Sequence, residues 1–251
     1  MLTAAAVCPH PPLLVPTSTG GAIGPDTHEL SNLRNACDAA VITLFAANPD
    51  VIVVVGADTR TTRYPPDAAG TLAAYGVPFT VGTGTPVLPL SLTVGRWLLA
   101  KAGTEASAER PVLQAIAAHV TPATCMLLGA QLAELAPQVA ILAMGDGPGR
   151  RARRAPGAID ADADRYDKLM MNALATADAA QLADLDPGHD EELFIAGRAA
   201  WQVLAGAALA DADADPHPGD ARFASALRYA AAPFEVSYYV ATWLLARTPP
   251  H

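Results

Sequence analysis

In the stretch "VCPHPPLLVP", His10 stands between Pro9 on one side and Pro11 and Pro12 on the other. Each proline fixes its own φ and removes a backbone donor, so the segment is a stiff extended loop or turn that holds the imidazole in one direction. A histidine titrates nearest to neutral pH and binds metals through either ring nitrogen, so one held at the end of a strand suits proton transfer or metal ligation. Two aspartates have comparable places: Asp58 closes "DVIVVVGAD" and Asp146 follows "AILAMG". A carboxylate there can bind a ligand or cap its own turn, and the same placement serves both purposes. His119, in "AIAAHVTP", is open between packing in the core and approaching the same place. His189, in "DPGHDEEL", precedes a helix beside three acids, where capping and solvation are its ordinary uses. His28, His217 and His251 lie in loop-like or terminal contexts and receive no role.

These side chains need a scaffold that brings strand ends together. "LTAAAVC" reads as a buried first strand and "NPDVIVVVGAD" (48–58) as a second, because a continuous apolar run bounded by Pro and Gly suits a strand covered on both faces. Between them, over 29–47, Leu30, Leu33, Ala36, Cys37, Ala40, Val41 and Leu44 recur at helical spacing. That β-α-β unit implies a parallel pair with a right-handed crossover. "PFTVG" and "VLPLSL" read as short strands, and "TVGRWLLAKAG" as a helix stopped by Gly103. "TPATCMLLGAQLAELA" is a helix capped by Thr121 with Pro122 at its first position. "QVAILAMGD" is a third buried strand, and "DADADRYDKLMMNALAT" and "DEELFIAGRAAWQVLAGAALA" are two long helices. "FASALRYAAAPFEVSYYVATWLLA" gives two closing strands broken near Pro233, with the alternation of Val236, Tyr238 and Val240 pointing to an antiparallel edge. The expected fold over 1–251 is a single α/β domain, an αβα sandwich: a mixed, mainly parallel sheet with helices on both faces and antiparallel closing strands. Ligands of such sheets gather beyond the carboxyl ends of the strands, where His10, Asp58 and Asp146 all fall.

Composition narrows the function. The chain has 251 residues, 51% apolar and 16% charged, with a net charge of −9. That balance supports a sizeable core and gives no footing for nucleic-acid phosphates. The one basic cluster, "GRRARR" at 149–154, reads as a solvated loop. Three cysteines, Cys8, Cys37 and Cys125, are odd in number and widely spaced, which argues against a disulfide framework or a CxxC zinc site and for a reducing cytoplasm. No apolar run reaches the roughly 18 residues of a membrane span, and no secretory signal is expected. A G-x-S-x-G elbow, a Walker A sequence and a G-x-G-x-x-G after the first strand are all missing.

"VCPHPPLLVP", "DVIVVVGAD", "VAILAMGDGPG" and "RYAAAPFEVSYYVATW", in that order, resemble the landmarks of the class III extradiol ring-cleavage dioxygenases of the LigB-like superfamily. The resemblance spans most of the chain, and its most specific element is the strand followed by Pro-His-Pro-Pro. It implies a mononuclear non-haem Fe(II) held by two histidines and one carboxylate, with a further histidine as acid/base. Carried over, His10 matches the first histidine ligand. At the place of the second, the chain has "GADTR", putting Asp58 or Thr59 there. At the place of the acid/base histidine it has "GDGPG", with Gly149. The third ligand falls near Glu192 or Ala196.

Two kinds of site remain open on this basis. His10, Asp58 and Glu192 could hold a divalent ion, an oxygen-rich set suited to harder metals, with His119 as a candidate acid/base. The other is a metal-free pocket that takes a small aromatic or acidic molecule through His10, Asp58, Thr59, Asp146, His189 or Arg198. Iron at stoichiometric occupancy is not expected; Fe(II) or another divalent ion at lower occupancy stays open. Expected partners are a small-molecule ligand and, as a third reading, a second copy or partner subunit meeting the apolar "VSYYVATWLLA" segment. Neither nucleic acid nor membrane is expected.

Overall fold

The computed structural model describes residues 1–16, 28–102, 111–149, 161–210 and 222–246. In chain order the elements are β1 (Leu2–Cys8), α1 (His28–Ala46), β2 (Val51–Asp58), β3 (Thr62–Tyr64), β4 (Gly70–Thr71), β5 (Thr80–Val81), α2 (Leu90–Ala102), β6 (Val112–Ala117), α3 (Pro122–Ala133), β7 (Val139–Met144), α4 (Ala161–Thr176), α5 (Ala179–Ala183), α6 (Gly188–Glu192), α7 (Arg198–Leu209), β8 (Phe223–Ala231) and β9 (Tyr238–Leu245). Seven strands form one sheet in the order β3-β6-β2-β7-β1-β9-β8, and β4 and β5 form a separate ribbon. The four strands β6, β2, β7 and β1 run parallel. Antiparallel strands close both sides: β3 on β6, and β9 and β8 beyond β1.

The apolar runs become central strands because both of their alternating side-chain sets find a helical layer. Ala4, Ala6, Cys8, Ile52, Val54, Leu142 and Met144 pack under α1 and α2. Ala5, Val7, Val53, Val55, Ile141 and Ala143 pack under α3, α4 and α7. In the second layer α3 and α7 touch backbone to backbone. A Cβ on Gly129 would collide with the Val203 carbonyl, and one on Gly206 with the Met126 carbonyl. The Thr121 cap is present, its Oγ1 accepting from Thr124 N–H at 3.3 Å.

Several expectations from the sequence are corrected. β1 and β2 are parallel but not adjacent, since β7 lies between them and pairs with both. "VLPLSL" is no strand: Leu90 begins α2, with Thr93 N–H bonding the Pro89 carbonyl at 2.9 Å. Ser91 through Gly95 are all buried, and a helix buried all round has no periodicity to tell it from a buried strand. β6 was not anticipated. Gln114 interrupts its apolar run, yet is buried with its amide donating to Thr62 and Ala115 carbonyls. The helix expected over 190–210 is broken into α6 and α7, with Phe194 at φ 55 between them. Finally, "VSYYVATWLLA" is no edge. β9 is paired on both sides and buried through Trp243, while β8 is the outer strand. Gly103, residues 150–154 of the basic cluster, His217 and His251 lie outside the described residues.

Candidate functional site

Strand register assembles the site. β1 and β7 pair from Ala4 opposite Ala140 to Cys8 opposite Met144, so two residues further on His10 lies opposite Asp146. β2 and β7 pair from Val51 opposite Val139 to Gly56 opposite Met144, which carries Asp58 to the other side of Asp146. β1 and β9 pair antiparallel from Ala4 opposite Leu244 to Val7 opposite Ala241, and the same register brings Tyr238 across from His10. Asp58, Asp146, His10 and Tyr238 thus form one row across four neighbouring strands, spaced about 4.8 Å apart. All four continue the alternation of Val54, Met144, Cys8 and Val240, which face the α1 and α2 layer. The row sits where ligands of open α/β sheets bind.

His10 and Asp146 are in contact. The His10 backbone N–H donates to Asp146 Oδ1 at 2.8 Å, a charge-assisted bond made possible because His10, unlike its proline neighbours, keeps a donor. His10 is 7% exposed. Its Nδ1 is buried with no hydrogen-bond partner among the described residues and lies 3.7 Å from the same Oδ1. Tyr166 Oη, Asp190 Oδ1 and Trp201 Nε1 are buried in the same unpaired state, but all three belong to the opposite layer. Asp146 is held firmly by its own turn. Its carbonyl accepts from Ala196 N–H at 3.1 Å, Gly145 N–H donates to Cys8 at 3.0 Å, Gly147 N–H to Ser237 at 2.8 Å and Gly149 N–H to Leu193 at 2.8 Å. Gly147 must be glycine for this approach, since a Cβ would come within 2.6 Å of the Tyr239 ring.

Asp58 spends its oxygens locally. Oδ1 accepts from Thr59 N–H at 2.6 Å and Thr59 Oγ1 at 3.3 Å, and Oδ2 accepts from Tyr64 Oη at 2.8 Å. Burial, and then the bond to Asp58, raises the Tyr64 pKa. Asp58 is therefore primarily a turn cap and Tyr64 anchor, with exposed Thr59 as its partner. Tyr238, by contrast, is 3% exposed. Burial, and then the charge of Asp146, pushes its pKa well up.

The remaining candidates do not join the row. His119 is exposed on the turn after β6, and Glu192 is exposed at the end of α6. His189 stands edge-on to Tyr166 in the opposite layer, ring centres 6.1 Å apart. Arg198 faces no crevice: it is 1% exposed and clamps Asp190 Oδ2 at 2.5 Å, Gln202 Oε1 at 2.7 Å, the Val120 carbonyl at 3.3 Å and the Ala118 carbonyl. Burial raises the Asp190 pKa although Arg198 pulls it down.

The ferrous centre implied by the resemblance does not fit these residues. It needs a second imidazole beside His10, and the register puts Asp146 on one side of His10 and Tyr238 on the other, with Asp58 beyond Asp146. His10, Asp58 and Glu192 do not converge, and among the described residues no group of three His, Cys, Asp or Glu side chains could hold a metal ion. Two features escaped the sequence reading: Tyr238, which looked like one position of an alternating strand, and Asp190, the half-buried partner of Arg198.

No family model matches the chain, and no curated protein matches it. Among solved structures it is similar to the crystal structure of an uncharacterized protein from Escherichia coli K12, with a TM-score of 0.53 and 14% identity over 96% of this chain and 99% of that one. At that identity the likeness is one of fold, and it covers both chains almost end to end.

Proposed function

We propose that the crevice at His10 binds a small aromatic or acidic organic molecule without an iron centre, and that the chain is a diverged relative of the extradiol dioxygenases in which ring cleavage has been lost. One observation carries this reading: a buried imidazole nitrogen without a partner, beside a carboxylate, at the carboxyl ends of two adjacent parallel strands. An unpaired buried polar atom costs about 1–3 kcal/mol, and a ligand that meets the ring at Nε2 and draws Nδ1 onto Asp146 recovers that cost. Asp146, fixed by its turn, accepts a hydroxyl or N–H from the ligand. The three cysteines are buried free thiols, which supports a reducing, cytoplasmic setting. No helix among the described residues is long and apolar enough to cross a membrane.

A thermal-shift panel of phenolic acids and neutral phenyl ketones tests this. At least one is expected to raise the Tm of the parent and to leave His10→Ala unmoved. Should no compound shift the parent, with His10→Ala as stable as before, the pocket reading is overturned. A second reading, self-association, is favoured by β8, a nine-residue strand whose outer side is unpaired in the sheet order; light scattering that finds a monomer at micromolar concentration removes it.

A further inference from the structure

We propose that His10, Asp146 and Tyr238 form a proton-transfer site for a neutral carbonyl compound, with His10 as the base and Tyr238 as the donor that holds the carbonyl oxygen. This rests on the crevice reading above and assigns it a chemistry.

The assignment follows from how the three residues share one row. Asp146 Oδ1 is fixed by the His10 N–H at 2.8 Å and faces Nδ1 at 3.7 Å. A closure of less than about 1 Å turns that approach into a hydrogen bond. Asp146 then stabilises the imidazolium, and Nε2 is the nitrogen that meets the ligand. Tyr238 flanks His10 on the opposite side from Asp146, one strand away. The residue is 3% exposed, and Asp146 lies close enough for its charge to act on the hydroxyl. A base and a neutral donor on neighbouring strands fit a ligand with an acidic C–H next to an oxygen, which is what a ketone or aldehyde offers. Asp58 and Asp146 already place two carboxylates in the row, so a neutral carbonyl compound is favoured over an anion.

In the step itself the C–H bond beside the carbonyl breaks and its proton moves to Nε2. The electron pair forms a C=C bond while the carbonyl π pair moves onto oxygen, and that enolate oxygen accepts the Tyr238 hydroxyl hydrogen bond. Return of a proton from the imidazolium to carbon completes the cycle. No oxidant, reductant or co-reactant enters, and the trace it leaves is exchange of carbon-bound hydrogen with solvent.

Phenylacetone in D2O, followed by proton NMR, provides the test. The parent protein should exchange the benzylic methylene hydrogens at a rate proportional to protein concentration. Tyr238→Phe should lower that rate about 100-fold, in the range of losing one preorganised donor, and His10→Gln should reduce it to the buffer rate, both with unchanged circular dichroism. Asp146→Asn, a positioning change, should lower kcat and leave KM nearly unchanged. Calorimetry measures phenylacetone binding separately. Binding without exchange, or Tyr238→Phe exchanging as fast as the parent, overturns this proposal and leaves the crevice reading standing. A phenolic acid that binds where phenylacetone does not overturns the ligand class. Failure of both to bind overturns the crevice reading as well.

Discussion

Replacing Arg198 by Met should destabilise the fold severely, and the size of the loss follows from what it leaves behind. The guanidinium is 1% exposed, and its removal deletes the bonds to Asp190, Gln202, Val120 and Ala118 together. Methionine fills much of the stem volume, so the loss is mainly polar. Asp190, with 18% of its side chain exposed and Oδ1 already unpaired, becomes a half-buried carboxylate stripped of its ion-pair partner. Breaking one side of such a pair costs about 3–5 kcal/mol, a large part of the roughly 5–15 kcal/mol that holds a domain together. Urea unfolding at pH 7 followed by circular dichroism reads this directly. The sign of the pH dependence is fixed too. Burial already raises the Asp190 pKa, and losing Arg198 raises it further, so the variant's deficit should shrink as pH falls and the carboxylate takes up a proton. Arg198→Met combined with Asp190→Leu should recover most of the loss, because the stranded charge has gone. A loss under about 1 kcal/mol in the single variant, or no recovery in the double one, would refute the clamp.

Gly206→Ala drives a methyl into the Met126 carbonyl where α3 and α7 touch, and a drop of about 3 kcal/mol in unfolding free energy is expected; an unchanged urea midpoint would show that the helices separate easily. Tyr166, Tyr238 and Tyr239 all have raised pKa values, with burial the leading cause in each. The unfolded chain releases these protons near pH 10 while the folded chain keeps them, so stability is constant below about pH 10 and falls as pH rises beyond it. Tyrosinate absorbance from these three should appear together with loss of circular dichroism, and their ionisation near pH 10 in an intact fold would contradict the burial argument.

Sequence patterning revealed the parts of this fold that depend on local chemistry. β1, β2 and β7 were readable because their runs are buried on both faces, and α3 because Thr121 and Pro122 start it. Strand order was not, since nothing local tells β7 to insert between β1 and β2; that depends on which apolar faces pack best once α1 and α7 cover the sheet. β6 was hidden by Gln114, whose burial makes sense only after its amide finds the Thr62 and Ala115 carbonyls. The site shows the same division. His10 and Asp146 were visible as polar residues after strands, whereas Tyr238 joins them only through the antiparallel register of a strand over 220 residues away. Arg198 looked available to a ligand because its partners, Asp190 on α6 and two carbonyls after β6, come together only in three dimensions.

The proposed function requires that one imidazole, with the Asp146 carboxylate on one side and the Tyr238 phenol on the other, holds an organic ligand and not a ferrous centre. Iron content after anaerobic Fe(II) reconstitution and desalting tests it most directly. Losing even an indirect support weakens metal sites about 10- to 100-fold, and a missing ligand weakens them more, so the parent should retain under about 0.1 iron per chain, with the same content in His10→Ala. Near-stoichiometric iron in the parent, lost on His10→Ala, would contradict the account.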